Sequence, residues 1–268
     1  MADVGLEDAP RARAMAHTHI LSVRALGRAG RTFIAAVAVA FLTTVGLGAI
    51  SPTWALAIAD AVQRLYLGPG HFLAQYLSTQ VTITLANSLA ALGAALLGAW
   101  GALLVARIQL GDASAGRTHG ALGRASYVLM SWLCAAARRC VPELGAAREM
   151  DARTAAAIAV LLPRLSIVCS GCMLGIYLAG ALLTGWTAHL LRDAAGLLPH
   201  GVCEVPAMIV SGAVGICIAE RLVAAAHGGL RDVHDTAART FSSPRLLRIL
   251  GLLIAAIIIG AAIEVRTM

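Results

Sequence analysis

The sequence predicts an all-α polytopic membrane protein with five transmembrane helices and additional interfacial amphipathic helices. Three observations carry this expectation. Of the 268 residues, 59% are hydrophobic and only 13% charged, whereas a soluble domain carries about a quarter charged residues. Uncharged apolar runs recur at about the 20 residues needed to cross a hydrocarbon core. The arginines are sorted onto alternate connections between those runs.

Residues 1–31 read as a cytoplasmic N-terminal segment and 32–268 as a single helical transmembrane domain. No charge interrupts Thr32 to Ala59, and the first span, 32–50, ends where Ser51-Pro52 breaks the run. A cleaved signal peptide is the competing reading, because Arg28 and Arg31 precede the run and Ala55-Leu56-Ala57 resembles a cleavage site. The run is longer than a usual signal core of about 7–15 residues, which argues against cleavage. Residues 53–80 contain Trp54, Tyr66, Phe72 and Tyr76, with Gly68-Pro69-Gly70 expected to divide the stretch into two short helical pieces. Their rings suit the headgroup level.

The second span, 82–106, has Asn87 as its main polar residue and ends at Arg107. A cytoplasmic insertion follows at about 108–155, in which Ala125–Ala137 is too short to span comfortably and reads as an interfacial helix. Thr154–Leu162 has two readings, an extension of the third helix through Pro163 or a surface segment. The third span is 165–190, the fourth 204–221 and the fifth 246–267, the last with Arg248 near one end and Glu264 near the other. Pro206 suits a first helical turn, so the fourth helix is expected to start at Cys203 to Val205 with His200 in the approach loop.

Arginine placement gives the orientation. The chain has 21 arginines and no lysine, and 18 of them fall on one side of a five-span arrangement. Only Arg64, Arg192 and Arg266 fall on the other. The positive-inside rule then puts the N-terminus in the cytoplasm and the C-terminus outside, in a multi-pass protein of the cell membrane. The net charge of +7 thereby has a topological cause, with anionic headgroups of the lipid bilayer as its simplest partner. With four Phe in the whole chain there are few rings to stack on bases, and nucleic acid is excluded as a partner.

Small residues at four-residue spacing let membrane helices approach closely. Ala90, Ala94 and Gly98 in the second span show this pattern, as do Gly171, Gly175 and Ala179 in the third, and Ser211, Gly215 and Ala219 in the fourth. Packing within the chain is the plainer account, and self-association of two copies the sharper one.

Polar groups within apolar spans form the candidate site. Glu204, Glu264, His200 and Asn87 fall at similar depth near the outer side and are expected to converge on one cluster, in which two carboxylates would share a proton or a common partner. The alternative is that each carboxylate caps a helix end, Glu204 accepting orphan N–H bonds at its helix start. Cys169 and Cys172 form a C-x-x-C inside the third span, where scarce water disfavours thiolate chemistry. The six cysteines imply no disulfide framework, and His200 with Cys203 lacks further metal ligands at a recognisable spacing. No H-E-x-x-H, G-x-S-x-G or phosphate-binding glycine motif occurs, so no catalytic residues, metal or cofactor are assigned.

The run Pro199-His200-Gly201-Val202-Cys203-Glu204-Val205-Pro206-Ala207, followed by Gly212 and Gly215, resembles the signature P-H-G-x-x-E-x-x-A of the stage II sporulation protein M family. Ala86-Asn87-Ser88 is similar to the family's early asparagine pair, Gly171 to Gly175 to its N-G-x-x-x-G, and Ala261-Ala262-Ile263-Glu264 to its terminal Ile-Glu. The sequence departs from the pattern at Ser88 and Ser170, each standing for an asparagine, and in the insertion. The resemblance implies a non-enzymatic membrane subunit. In spore formers the family works beside a peptidoglycan-remodelling machine, and relatives occur in organisms that make no spores.

Two function classes follow. One is a membrane scaffold that assembles or localises other membrane or cell-surface proteins, with a second copy of the chain as a further candidate partner. The other is a transporter or permease subunit using the carboxylate and histidine site, although five spans do not divide into two equal repeats.

Overall fold

The computed structural model describes residues 20–74, 77–115, 132, 134–142, 144, 149–184 and 187–267. The ordered elements are α1 (Val23–Ile50), α2 (Pro52–Ala74), α3 (Thr79–Ala115), α4 (Met150–Leu183), α5 (Thr187–Ala226), α6 (Leu230–Phe241) and α7 (Pro244–Thr267). Five stretches within them are long and apolar enough to cross a membrane: Val23–Ile50, Thr84–Arg107, Met150–Leu183, Cys203–Ala226 and Pro244–Ile263. The protein is all-α and polytopic.

Local sequence explains where these helices begin. Ser22 caps α1, its hydroxyl accepting the Ala25 N–H at 3.1 Å, and Ser78 does the same for α3 through the Val81 N–H at 3.4 Å. Pro52 and Pro244 open α2 and α7, where a missing N–H costs nothing. Hydroxyls inside apolar helices turn back on their own backbone: Thr44 donates to the Ala40 carbonyl at 2.8 Å and Thr184 to that of Gly180 at 3.1 Å.

The chain divides into two compact units, and α1, α3, α4, α5 and α7 contribute residues to both. The first holds residues 1–25, 94–164 and 213–249. Its core is rich in alanine, with Ala94, Ala95, Ala99, Ala102, Ala155, Ala156 and Ala159 packed among larger side chains such as Ile216, Leu222, Val233 and Leu246. Pro163 is wedged into it. A Cβ on Gly98 would stand 2.7 Å from the Ala159 carbonyl oxygen and 2.9 Å from Pro163 Cδ, and one on Gly215 would meet the Ala94 carbonyl and stand 2.8 Å from Pro163 Cβ. Two glycines thus make room for a proline ring and a close backbone approach. Part of the insertion is built into the same core, since Cys134, Ala137 and Leu144 are buried and Cys134 Sγ lies 3.7 Å from Thr154 Oγ1.

The second unit holds residues 26–93, 165–212 and 250–268. In it α4 lies along α1. A Cβ on Gly171 would stand 2.8 Å from the Phe33 carbonyl oxygen, and one on Gly175 would meet the Val37 carbonyl and Ala40 Cβ. Cys172 Sγ reaches the Ala36 carbonyl at 3.9 Å. Gly212 leaves space for the Ile167 side chain. These small residues are occupied by packing within the chain, which agrees with the plainer account of their spacing.

Two local expectations differ from the structure, and one left open is resolved. Gly68-Pro69-Gly70 does not divide its segment, because α2 runs unbroken from Pro52 to Ala74. Glycine and proline disfavour a helix interior without forbidding it, and the helical sequence on both sides carries the chain through. Thr154–Leu162 is settled as part of α4, which continues through Pro163. The fourth apolar span belongs to a helix that starts at Thr187, and α5 passes through both Pro199 and Pro206. Of Ala125–Ala137, residues 125–131 and 133 lie outside the described residues, whereas 134–140 is helical with Arg138 and Arg139 exposed.

Candidate functional site

Glu204 lies about five turns into α5, not at a helix start. A carboxylate there has no orphan N–H groups of its own helix to accept, so the capping account fails and a partner must come from another element. Asn87 of α3 supplies it. Its Nδ2 donates a hydrogen bond to Glu204 Oε1, joining two residues 117 positions apart within the second unit. Both side chains are partly buried. In an apolar layer such a contact fixes two helices in register, because breaking it leaves a polar group without water.

Three hydroxyls extend the polar character of the same two helices. The hydroxyl oxygens of Thr82 and Ser88 on α3 and of Ser211 on α5 are buried and find no hydrogen-bond partner among the described residues. Ser88 is the residue standing where the family pattern has its second asparagine, and Ser211 falls two turns after Glu204 on the same face of α5. Sequence reading took Ser211 only as a small packing residue and passed over Thr82. Buried polarity distinguishes them, and a hydropathy pattern does not carry it.

Of the expected cluster, Asn87 and Glu204 are brought together. His200 falls within α5 rather than in an approach loop, and Glu264 within the last turn of α7. The side chains of Pro199, His200, Gly201 and Glu264 lie outside the described residues. Ala207 is buried one turn beyond Glu204. Gly171, Gly175, Gly212 and Gly215 are at the close helix approaches described above. Among the described residues no three His, Cys, Asp or Glu groups gather as a metal site requires, and the six cysteines are free thiols.

The stretch from α4 to α7 carries the Glu204 segment and the Gly171 to Gly175 and Ile263-Glu264 motifs on which most of the resemblance rests. Residues 153–266 match the family model SpoIIM, stage II sporulation protein M. The matched stretch includes Glu204, Gly171, Gly175, Gly212, Gly215 and Glu264, while Asn87 lies ahead of it and is joined to it by the Glu204 contact. Neither the curated proteins nor the solved structures hold a match to this chain.

A second polar contact positions an element that the sequence did not single out. Gly229, with φ 109° and ψ −177°, links α5 to α6 in a conformation that essentially only glycine adopts. Glu149, the residue before α4, uses its carboxylate Oε2 to accept the Leu230 N–H at 2.9 Å. It thus supplies the cap that Gly229 lacks. The α6 helix buries Leu230, Val233, Ala237 and Thr240 and turns Arg231, Asp232, Asp235 and Arg239 outward.

Proposed function

We propose that the chain is a non-enzymatic integral membrane subunit that assembles or localises a partner complex at the cell membrane. The observation that carries this reading is the SpoIIM match over residues 153–266. The Asn87–Glu204 contact supports it, since an amide holding a carboxylate between two helices suits a rigid platform. Partners of this platform are other membrane or cell-surface proteins, and its arginine-rich connections face the cytoplasm beside anionic headgroups.

Mild-detergent affinity purification after crosslinking tests the reading. The expected result is reproducible recovery of one membrane or cell-surface partner, reduced by substitutions at Asn87 or Glu204 that loosen the platform. A second reading, a permease subunit, draws on the same contact because an intramembrane carboxylate commonly marks an ion or proton path. Reconstituted vesicles discriminate. A proton or cation flux that disappears in Glu204→Gln, with no partner recovered, replaces the scaffold by the permease.

A further inference from the structure

The end of α5 and the start of α7 line a cavity of about 430 Å³, together with Ile20 from the segment before α1. Its lining is Ile20, Arg221, Ser243, Pro244, Arg245 and Arg248, all within the first unit. Three of the six are arginines and none is acidic. Arg245 and Arg248 stand three residues apart, on one face of the first turns of α7. Arg221 reaches the cavity from α5, where it is half-buried, and buried Ile20 gives it an apolar wall.

The depth of this cavity is informative. Arg221 lies five residues before the end of the apolar span Cys203–Ala226, and Arg248 four residues after the start of Pro244–Ile263. At 1.5 Å per residue both lie about 6–8 Å inside the ends of their spans, within snorkelling distance of the headgroups. Ser243 and Pro244 place the beginning of α7 in the lining, so the positive end of a 24-residue helix contributes as well. Three guanidinium groups lining one cavity offer several N–H donors to a shared anion. Their planar fork matches phosphate oxygens in particular.

We propose that this cavity is a binding site for a phosphate group, and its depth points to the headgroup of an anionic phospholipid as the source. The volume lies within the range of about 300–1,000 Å³ typical of small-molecule sites, which suits a glycerophosphate headgroup better than a bare ion. The site shares no residue with the Asn87–Glu204 contact and does not depend on the scaffold reading.

The test uses the full chain in nanodiscs of phosphatidylcholine with or without phosphatidylglycerol, with native mass spectrometry counting retained phosphatidylglycerol. The double variant Arg245→Gln, Arg248→Gln is compared with Arg231→Gln, Arg239→Gln, which removes the same charge from the exposed face of α6. Retention is expected to fall about tenfold in the first and to stay near wild type in the second. Should the first variant fail to fold, Arg245→Lys, Arg248→Lys takes its place, with a smaller loss expected because the charge stays and the fork is gone. In a parallel arm, inorganic phosphate is titrated against unfolding temperature in zwitterionic detergent. Stabilisation by inorganic phosphate of the wild type but not the cavity variant, without a lipid difference, keeps the site and assigns it to a soluble phosphate. Equal losses in both double variants reduce the effect to diffuse charge and overturn the proposal, as does unchanged lipid retention together with no phosphate response.

Discussion

At the scale of single residues the decisive contact is the one between Asn87 and Glu204. Replacing Asn87 by Leu removes the donor and leaves a carboxylate facing an apolar side chain, and the expected loss of stability is about 1–2 kcal/mol. Glu204→Gln keeps an oxygen that accepts from Asn87, so it should cost less than Glu204→Leu. A double-mutant cycle on Asn87→Leu and Glu204→Leu, read by unfolding in detergent, should give a coupling of about 0.5–2 kcal/mol, and additivity would remove the clamp. Arg64 provides a contrast. Its pair with Asp60 spans 2.9 Å at an exposed site, with side chains 79% and 57% accessible, so Arg64→Gln should stay within about 0.5 kcal/mol of wild type. Asp235 on α6 offers a pH readout. A hydrogen bond from His234, whose Nδ1 lies 3.0 Å away, holds this carboxyl below the usual range, with the nearby charges of His234, Arg231 and Arg239 adding to the effect. A depressed folded value means that the contribution is present above the unfolded value and lost as pH falls through the folded one. Titration of Asp235 by NMR in His234→Ala should therefore move upward.

At the scale of elements, glycine and proline positions set how closely helices approach. Gly175 and Gly215 each face a backbone carbonyl that cannot move aside as a flexible side chain would. Gly175→Ala and Gly215→Ala should each cost about 1–3 kcal/mol by forcing the helices apart. Gly46 and Gly251 have open space where a Cβ would go, so alanine there should be neutral or add up to about 1 kcal/mol through helix propensity. Thermal unfolding of the four variants side by side checks the ordering, and equal effects would show that close approach is not what these glycines supply. The α5–α6 link gives a separate test. Gly229→Ala places a Cβ 2.9 Å from Glu149 Oε1 in a backbone region closed to other residues, for an expected cost of about 1–3 kcal/mol. Glu149→Ala removes the cap of α6 at about 0.5–2 kcal/mol. Increased hydrogen exchange confined to the first turn of α6 is the expected signature.

At the scale of the whole molecule, burial separates one helix from the rest. Within its apolar span α5 is 67% buried, whereas the other four spans are between 28% and 39% buried. The latter keep Ile34, Leu42, Leu89, Trp100, Leu165, Leu252 and Ile259 exposed. In water that would be an aggregation hazard, and in a bilayer it is the lipid contact surface. Helix-breaking or charged changes should accordingly be tolerated least on α5. Topology is tested with an impermeant thiol reagent on intact cells, using single cysteines in a cysteine-free background. A cysteine at position 192 should react and one at position 114 should not, and the reverse pattern would invert the orientation.

The sequence by itself determined the class of protein, the number of apolar spans and the family resemblance. Each of these rests on composition or on local spacing. Twenty uncharged residues specify a membrane helix whatever its neighbours, and small residues at four-residue spacing mark close packing without naming the partner. What lies 117 residues away along the chain is decided only by tertiary structure. The Asn87–Glu204 bond needed α3 and α5 to be neighbours, and the cap that Glu149 gives to α6 needed the residue before α4 to reach Leu230. Pro206 misled because a proline suits a first helical turn, where its missing N–H has no intrahelical partner to lose. Inside a bilayer the same residue is carried through the helix, and this moved Glu204 from a cap to a contact between helices.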